Sequence, residues 1–209
     1  VKADGENLVG YDNPAWGDAG VIIPWTLYLA YGDKAILKDN YTAMGKYIDY
    51  LCTNSSGLIR SKTDYGDWLN MTDDTPKEVL TTAFFAYSTG LYAKIAAVLG
   101  FERDARKYGK LFEDIRAAFN HAFVSEDGRI AGNSQTCYLL AIKMGLLDED
   151  KKLLAAKHLV DHIRSRDWHL ATGFVGVSYL LPVLSDMGYS EVAYRLLLNE
   201  TFPSWLYPV

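Results

Sequence analysis

The 209 residues are 49% apolar and carry a formal charge of −5, with Lys and Arg dispersed among the acids, which suits one compact core and argues against a nucleic-acid-binding stripe. No apolar run is long enough to span a bilayer, and residues 1–6 lack the charged-then-apolar pattern of a signal peptide, so neither membrane nor nucleic acid is an expected partner. Cys52 and Cys137 have no metal-ligand or redox spacing; both read as small buried residues on helices, and no metal or cofactor is expected.

In chain order, residues 1–17 read as irregular and end in Asn13-Pro14-Ala15-Trp16-Gly17. Residues 18–31 follow as a first helix, apolar nearly all round and so suited to a buried inner position, with Pro24 as a kink. Gly32 as the residue after the helix and Asp33 as an N-cap predict a very short turn into a second helix. There Leu37, Tyr41, Met44, Ile48 and Leu51 keep helical spacing. An irregular excursion over 53–74 leads to Thr75-Pro76-Lys77-Glu78, which reads as a capping box and gives Glu78 a structural role. The third helix shows Leu80, Phe84, Tyr87, Leu91, Ile95 and Val98 on one face and closes at Gly100. It turns at once into a fourth, with Tyr108, Leu111, Phe112, Ile115 and Phe119.

A second long connection spans 124–133, and a fifth helix over 135–144 closes at Gly145. Asp148 caps a sixth helix that reaches Ile163. After a third long connection, 165–173, come a seventh helix over 174–187 despite Pro182, a turn at Gly188, an N-cap at Ser190, an eighth helix to about Asn199 and an irregular tail. Short glycine turns thus alternate with long connections, which predicts an all-α stack or ring of helical hairpins with every long connection at one end. His121, His158 and His162 fall in helical patterns and read as surface or helix-end residues.

Trp16, Trp68, Trp168 and Trp205 all fall on the long-connection end, whereas Trp25 lies within a helix and is assigned to the core. Loops on a rigid scaffold are where binding groups gather. The stretch Thr63-Asp64-Tyr65-Gly66-Asp67-Trp68-Leu69-Asn70 pairs carboxylates with aromatics, as do Trp16-Gly17-Asp18 and Asp167-Trp168-His169. An indole face can cover the apolar side of a pyranose while a carboxylate accepts bonds from its hydroxyls.

Pro14-Ala15-Trp16-Gly17-Asp18-Ala19 with Pro24-Trp25, Tyr65-Gly66-Asp67-Trp68-Leu69, Thr75-Pro76 with Thr82-Ala83, His169-Leu170-Ala171-Thr172-Gly173-Phe174-Val175-Gly176 and Pro203-Ser204-Trp205 run in order across nearly the whole chain. Together they resemble the bacterial α-L-rhamnosidases of glycoside hydrolase family 78. The resemblance implies an (α/α)6 barrel, present as an incomplete segment of about four hairpins, with 1–209 as part of a catalytic domain. It also implies an inverting hydrolase of terminal α-L-rhamnosyl residues, with a rhamnose-containing oligosaccharide or glycoside as partner. Trp16 and Trp68 match family positions against the rhamnose; Asp18, Asp67, His169 and Trp205 join them as substrate-binding or supporting residues. The family's general acid lies in an Arg- and Glu-rich segment upstream of the Trp-Gly-Asp motif, which residues 1–11 do not match, and its general base in a Trp-Glu-Arg-Trp segment downstream of Pro-Ser-Trp. Both are therefore expected outside this chain, which reads as a piece of a longer one, inert alone. The alternatives are another (α/α)6-barrel glycoside hydrolase, a carbohydrate-binding piece without catalysis, or a helical-repeat interaction module.

Overall fold

The structure, a computed structural model, describes residues 13–61 and 65–208. Its helices are α1 (Ala19–Tyr31), α2 (Ala35–Thr53), α3 (Lys77–Val98), α4 (Glu102–Phe123), α5 (Gln135–Lys143), α6 (Glu149–Ser165), α7 (Phe174–Asp186) and α8 (Ser190–Leu197). Among the described residues the only extended pairings are isolated bridges, Ser56 with Ile59 and Val124 with Ile130, in the first two long connections. The eight helices form four hairpins.

Sequence decides which helix is inner. α5 is buried at every position from Gln135 to Ile142, and α3 along the whole run Val79 to Ala86; neither has a polar face to turn to solvent, so both must be surrounded. α4 buries Tyr108, Ile115 and Phe119 and opens with Glu102 and Asp104, while α6 buries Ala155, Ala156, Leu159, Val160 and Ile163. Those one-sided patterns place α4 and α6 in an outer layer. Phe84, Phe85, Phe119 and Tyr138 are among the largest fully buried side chains, and each such burial is worth roughly 1.5–3 kcal/mol. Hydroxyl to carboxylate bonds fasten α2 to α4, from Tyr41 to Asp104 at 2.8 Å and from Tyr108 to Asp49 at 3.2 Å. Gly90 lets α4 approach α3, since a Cβ there would stand 3.1 Å from the Phe112 ring.

Gly32 and Gly100 close α1 and α3 with φ of 71° and 80°, a conformation that costs other residues about 1–2 kcal/mol. Each inner helix therefore turns at once into its outer partner, and the long connections gather at the opposite end.

Several local expectations are corrected. α1 buries only Val21 and Pro24, and Ile23, Leu29 and Tyr31 are exposed, because its packing among the described residues is chiefly against α2 and α3. The capping box at Thr75 does not form, since the Thr75 hydroxyl bonds Ser134 Oγ at 2.6 Å and Pro76 takes the cap position. Tyr189, not Ser190, precedes α8, and Lys34 precedes α2, although Asp33 still accepts from the Ala35 amide at 2.8 Å. Asp148 caps α6 as expected. Cys137 is buried and free; Cys52 is free but only partly buried. His162 takes the helix-end position and not the surface one: it lies in the last turn of α6, its Nε2 is 3.0 Å from Asp73 Oδ1, and both side chains are nearly buried.

Candidate functional site

Two strained turns present the aromatics of the long-connection rim. Ala15 adopts φ 70°, a conformation held by Asp18, whose Oδ2 accepts from the Ala15 amide at 3.0 Å while Oδ1 accepts from Ser88 Oγ at 2.5 Å. Asp18 is 1% exposed, and burial pushes its carboxyl up to about 6 despite opposing bonds from Ser88, the Ala15 amide and Tyr47. The result is a turn that hands Trp16 to solvent. Asn13 accepts from the Tyr65 amide at 3.2 Å and so joins this turn to the loop that follows α2.

Asp67 does the same for the second turn. Its Oδ2 accepts from Thr136 Oγ1 at 2.6 Å and from the Gly173 amide at 2.9 Å, and its Oδ1 accepts from the Val175 amide at 3.2 Å. One carboxylate thus clasps α5 and caps the start of α7 from a distant loop. Desolvation raises its pKa, and these three bonds oppose the rise. A Cβ on Gly173 would collide with the Trp68 carbonyl and stand 2.6 Å from two Asp67 oxygens, so this approach is open to glycine alone. Asp67, and not the nearby His169, accepts from the amides that open α7.

The rings so presented form a row. Trp16 and Tyr65 lie 5.2 Å apart between centroids, Tyr65 and Trp68 6.5 Å, and Trp68 stacks on Phe174 at 5.4 Å and 18°. All four are 40–56% exposed, an apolar strip that is not buried on its outer side by the described residues. Beside it a cleft of about 420 Å³ is lined by Tyr65, Asn70, Asp74, Pro76 and Lys77. Asn70 donates to Asp74 Oδ1 at 3.0 Å, presenting an exposed carboxylate next to Tyr65. A further cleft, about 440 Å³, opens between α3 and α4 toward the short turns and is lined by Tyr87, Leu91, Phe112 and Met144. It holds none of the motif residues.

Among the described residues no group of three or more His, Cys, Asp or Glu is placed to hold a metal ion. Rings over an apolar strip, with hydrogen-bonding groups at its edge, suit a ligand with one apolar face and a hydroxylated rim.

The family model of the bacterial alpha-L-rhamnosidase 6 hairpin glycosidase domain matches residues 6–209. The chain belongs to this family. It is 49% identical over 194 residues to an alpha-L-rhamnosidase of Streptomyces avermitilis, covering 93% of this chain and 19% of that protein. It is 36% identical over 213 residues to one from Alteromonas sp., covering 96% of this chain and 23% of the relative. The structure of the Streptomyces avermitilis alpha-L-rhamnosidase complexed with L-rhamnose superposes with a TM-score of 0.91 at 48% identity, over 94% of this chain and 19% of that one. That of Aspergillus terreus gives 0.87 at 29% identity, over 93% and 24%. The chain therefore spans about a fifth of the length of these relatives, and its four hairpins are part of the rhamnosidase (α/α)6 barrel. It is not a helical-repeat interaction module.

Within this rhamnosidase-family rim the residues expected at the site take different positions. Trp16 and Trp68 are brought together through Tyr65. Asp18 and Asp67 are buried beneath them. His169 braces loops, its Nδ1 3.0 Å from the Arg166 carbonyl and its Nε2 2.8 Å from Thr201 Oγ1. Trp205 is partly buried against the core, and Trp168 stands apart under Arg195, whose guanidinium lies 3.8 Å from its ring centroid. Asp64 lies outside the described residues. Tyr65 and Phe174 complete the row, although the motifs that contain them do not mark either as a candidate. Phe174 reads as the first apolar residue of a buried helix, and only its stacking on Trp68 shows otherwise.

Proposed function

We propose that residues 1–209 are part of the catalytic domain of an inverting α-L-rhamnosidase that releases terminal α-L-rhamnosyl residues from glycosides or oligosaccharides, and that this chain supplies the sugar-stacking wall. The observation that carries the reading is the exposed row Trp16, Tyr65, Trp68 and Phe174, in a chain 48% identical to a rhamnosidase solved with L-rhamnose. Trp68 and Trp16 take the apolar face of the pyranose and hold it as the ring flattens toward an oxocarbenium-like transition state. Asp18 and Asp67 act through those rings by fixing the turns that carry them. His169 and Trp205 hold the surrounding loops. Inversion needs an acid to protonate the leaving oxygen and a base to activate water on the other face, with carboxyls roughly 6.5–9.5 Å apart. Those two groups belong to segments outside this chain.

The test is L-rhamnose binding followed by tryptophan fluorescence. Loss of one stacking face, about 1–2 kcal/mol, weakens binding roughly 5- to 30-fold in Trp68→Ala, and Trp68→Phe recovers part of it. A plug over the core predicts the opposite pattern, unchanged binding with a stability loss of roughly 3–5 kcal/mol. At 52% exposed, Trp68 has too little buried area for that. Unchanged affinity in Trp68→Ala would remove the row from the site.

A further inference from the structure

The loop that carries Trp68 is strained and externally held. Leu69 and Thr72 adopt φ of 62° and 55°, left-handed conformations that persist only where the surroundings over-determine them. One foot of the loop is Asp67, already described. The other is Asp73, whose Oδ2 accepts from the Gln135 amide at the start of α5 at 2.8 Å and whose Oδ1 faces His162 Nε2 at 3.0 Å. His162 belongs to the last turn of α6, an outer helix.

The same helix end grips the loop a second time. Arg166, at the C-cap of α6, donates to the Met71 carbonyl at 2.6 Å and to Thr72 Oγ1 at 3.2 Å, on either side of a strained peptide. From Asp73 the connection runs inward without a gap. The Asp73 amide donates to Asn70 Oδ1 at 2.8 Å, and Asn70 Nδ2 donates to the Asp67 carbonyl at 3.0 Å, next to Trp68. Among the described residues the His162 ring has no other polar anchor, because its Nδ1 is buried and without a hydrogen-bond partner there.

We propose that His162 and Arg166, at the end of an outer helix, are positioning residues for the sugar-stacking row, setting where Trp68 stands through Asp73, Met71 and Thr72. The inference rests on the reading of that row as the sugar wall. A side chain on the outer layer of the barrel thereby controls affinity at its rim without touching the ligand.

The experiment uses the whole chain with L-rhamnose as probe and the Trp68 indole N–H resonance, identified by its absence in Trp68→Phe, as a second readout. In His162→Leu the resonance shifts and the dissociation constant for L-rhamnose rises roughly 3- to 10-fold. His162→Gln, whose amide can still donate to Asp73, returns both toward the original values. If His162→Leu lowers the melting temperature but keeps the resonance and the affinity, His162 is a packing residue and the proposal is overturned. A Gln variant that behaves as Leu overturns it as well. Should His162→Leu not fold, Arg166→Met carries the same two readouts on the other grip, and an unmoved Trp68 there overturns the proposal. If the unmodified chain shows no response to L-rhamnose while the resonance still moves in Leu and returns in Gln, the positioning stands and the sugar reading fails.

Discussion

Asp18 shows how one buried carboxyl sets both the shape and the pH response of the rim. Its oxygens receive the Ala15 amide and the Ser88 hydroxyl, which fixes Trp16, but its burial penalises the charged form and lifts its pKa from 3.8 to about 6. A carboxyl whose folded pKa lies above its unfolded value holds its proton longer in the folded protein. Its contribution therefore favours folding below about pH 4 and is lost as pH rises to about 6. The interval of about two pH units corresponds to on the order of 3 kcal/mol. Asp18→Asn has no proton to lose, so its stability relative to the unmodified chain should improve by about that amount between pH 3.5 and pH 7. Any constant cost of the amide cancels in the difference. Denaturant unfolding of both proteins across this range measures it, and a difference independent of pH would show that Asp18 titrates as it does in the unfolded chain.

At the scale of elements, the hairpins were legible in the sequence because two independent signals agree on them. Helical spacing marks the faces of α2 to α4, and a glycine stands at each short turn, as Gly32 and Gly100 illustrate. Less legible was every bond made across the chain. Thr75 carries a capping signature, yet its hydroxyl turns to Ser134, and nothing near Phe174 in sequence announces that Asp67 caps its helix. His162 has a helical neighbourhood like any surface residue, and only the fold places Asp73 against it. Motif likeness points to Asp67 and Trp68 together, but not to one being buried and the other exposed. The Asp67 clasp between α5 and α7 can be tested by Asp67→Asn, which keeps the shape but must turn an amide group toward Thr136 and Gly173 or toward Val175. A donor facing a donor in a buried site costs about 1–3 kcal/mol. The loss should appear in the unfolding midpoint, and amide exchange at Val175 should quicken with it. An unchanged midpoint would mean that α7 is capped well enough without the charge.

On the scale of the whole molecule, four hairpins place a row of exposed rings on one rim, but the described carboxylates beside that row do not make the acid and base pair that cleavage of a glycoside needs. Asp18 and Asp67 are 1% and 4% exposed, with both oxygens of each engaged. Asp73 is likewise held between Gln135 and His162. Asp74 is exposed, but a single carboxylate cannot supply acid and base on opposite faces of one sugar. General acid and base catalysis contribute typically about 10²–10⁴-fold each, so a chain that stacks the sugar without them binds and does not turn over. The expected result with an aryl α-L-rhamnoside is tryptophan quenching on addition and no phenol release above the spontaneous rate. Turnover at roughly 1–10³ s⁻¹, the range common to enzymes, would instead place an acid and a base within residues 1–209. Asp18→Asn and Asp67→Asn would then be compared for kcat, because a reacting carboxyl abolishes it while a turn-holding one shifts KM with it.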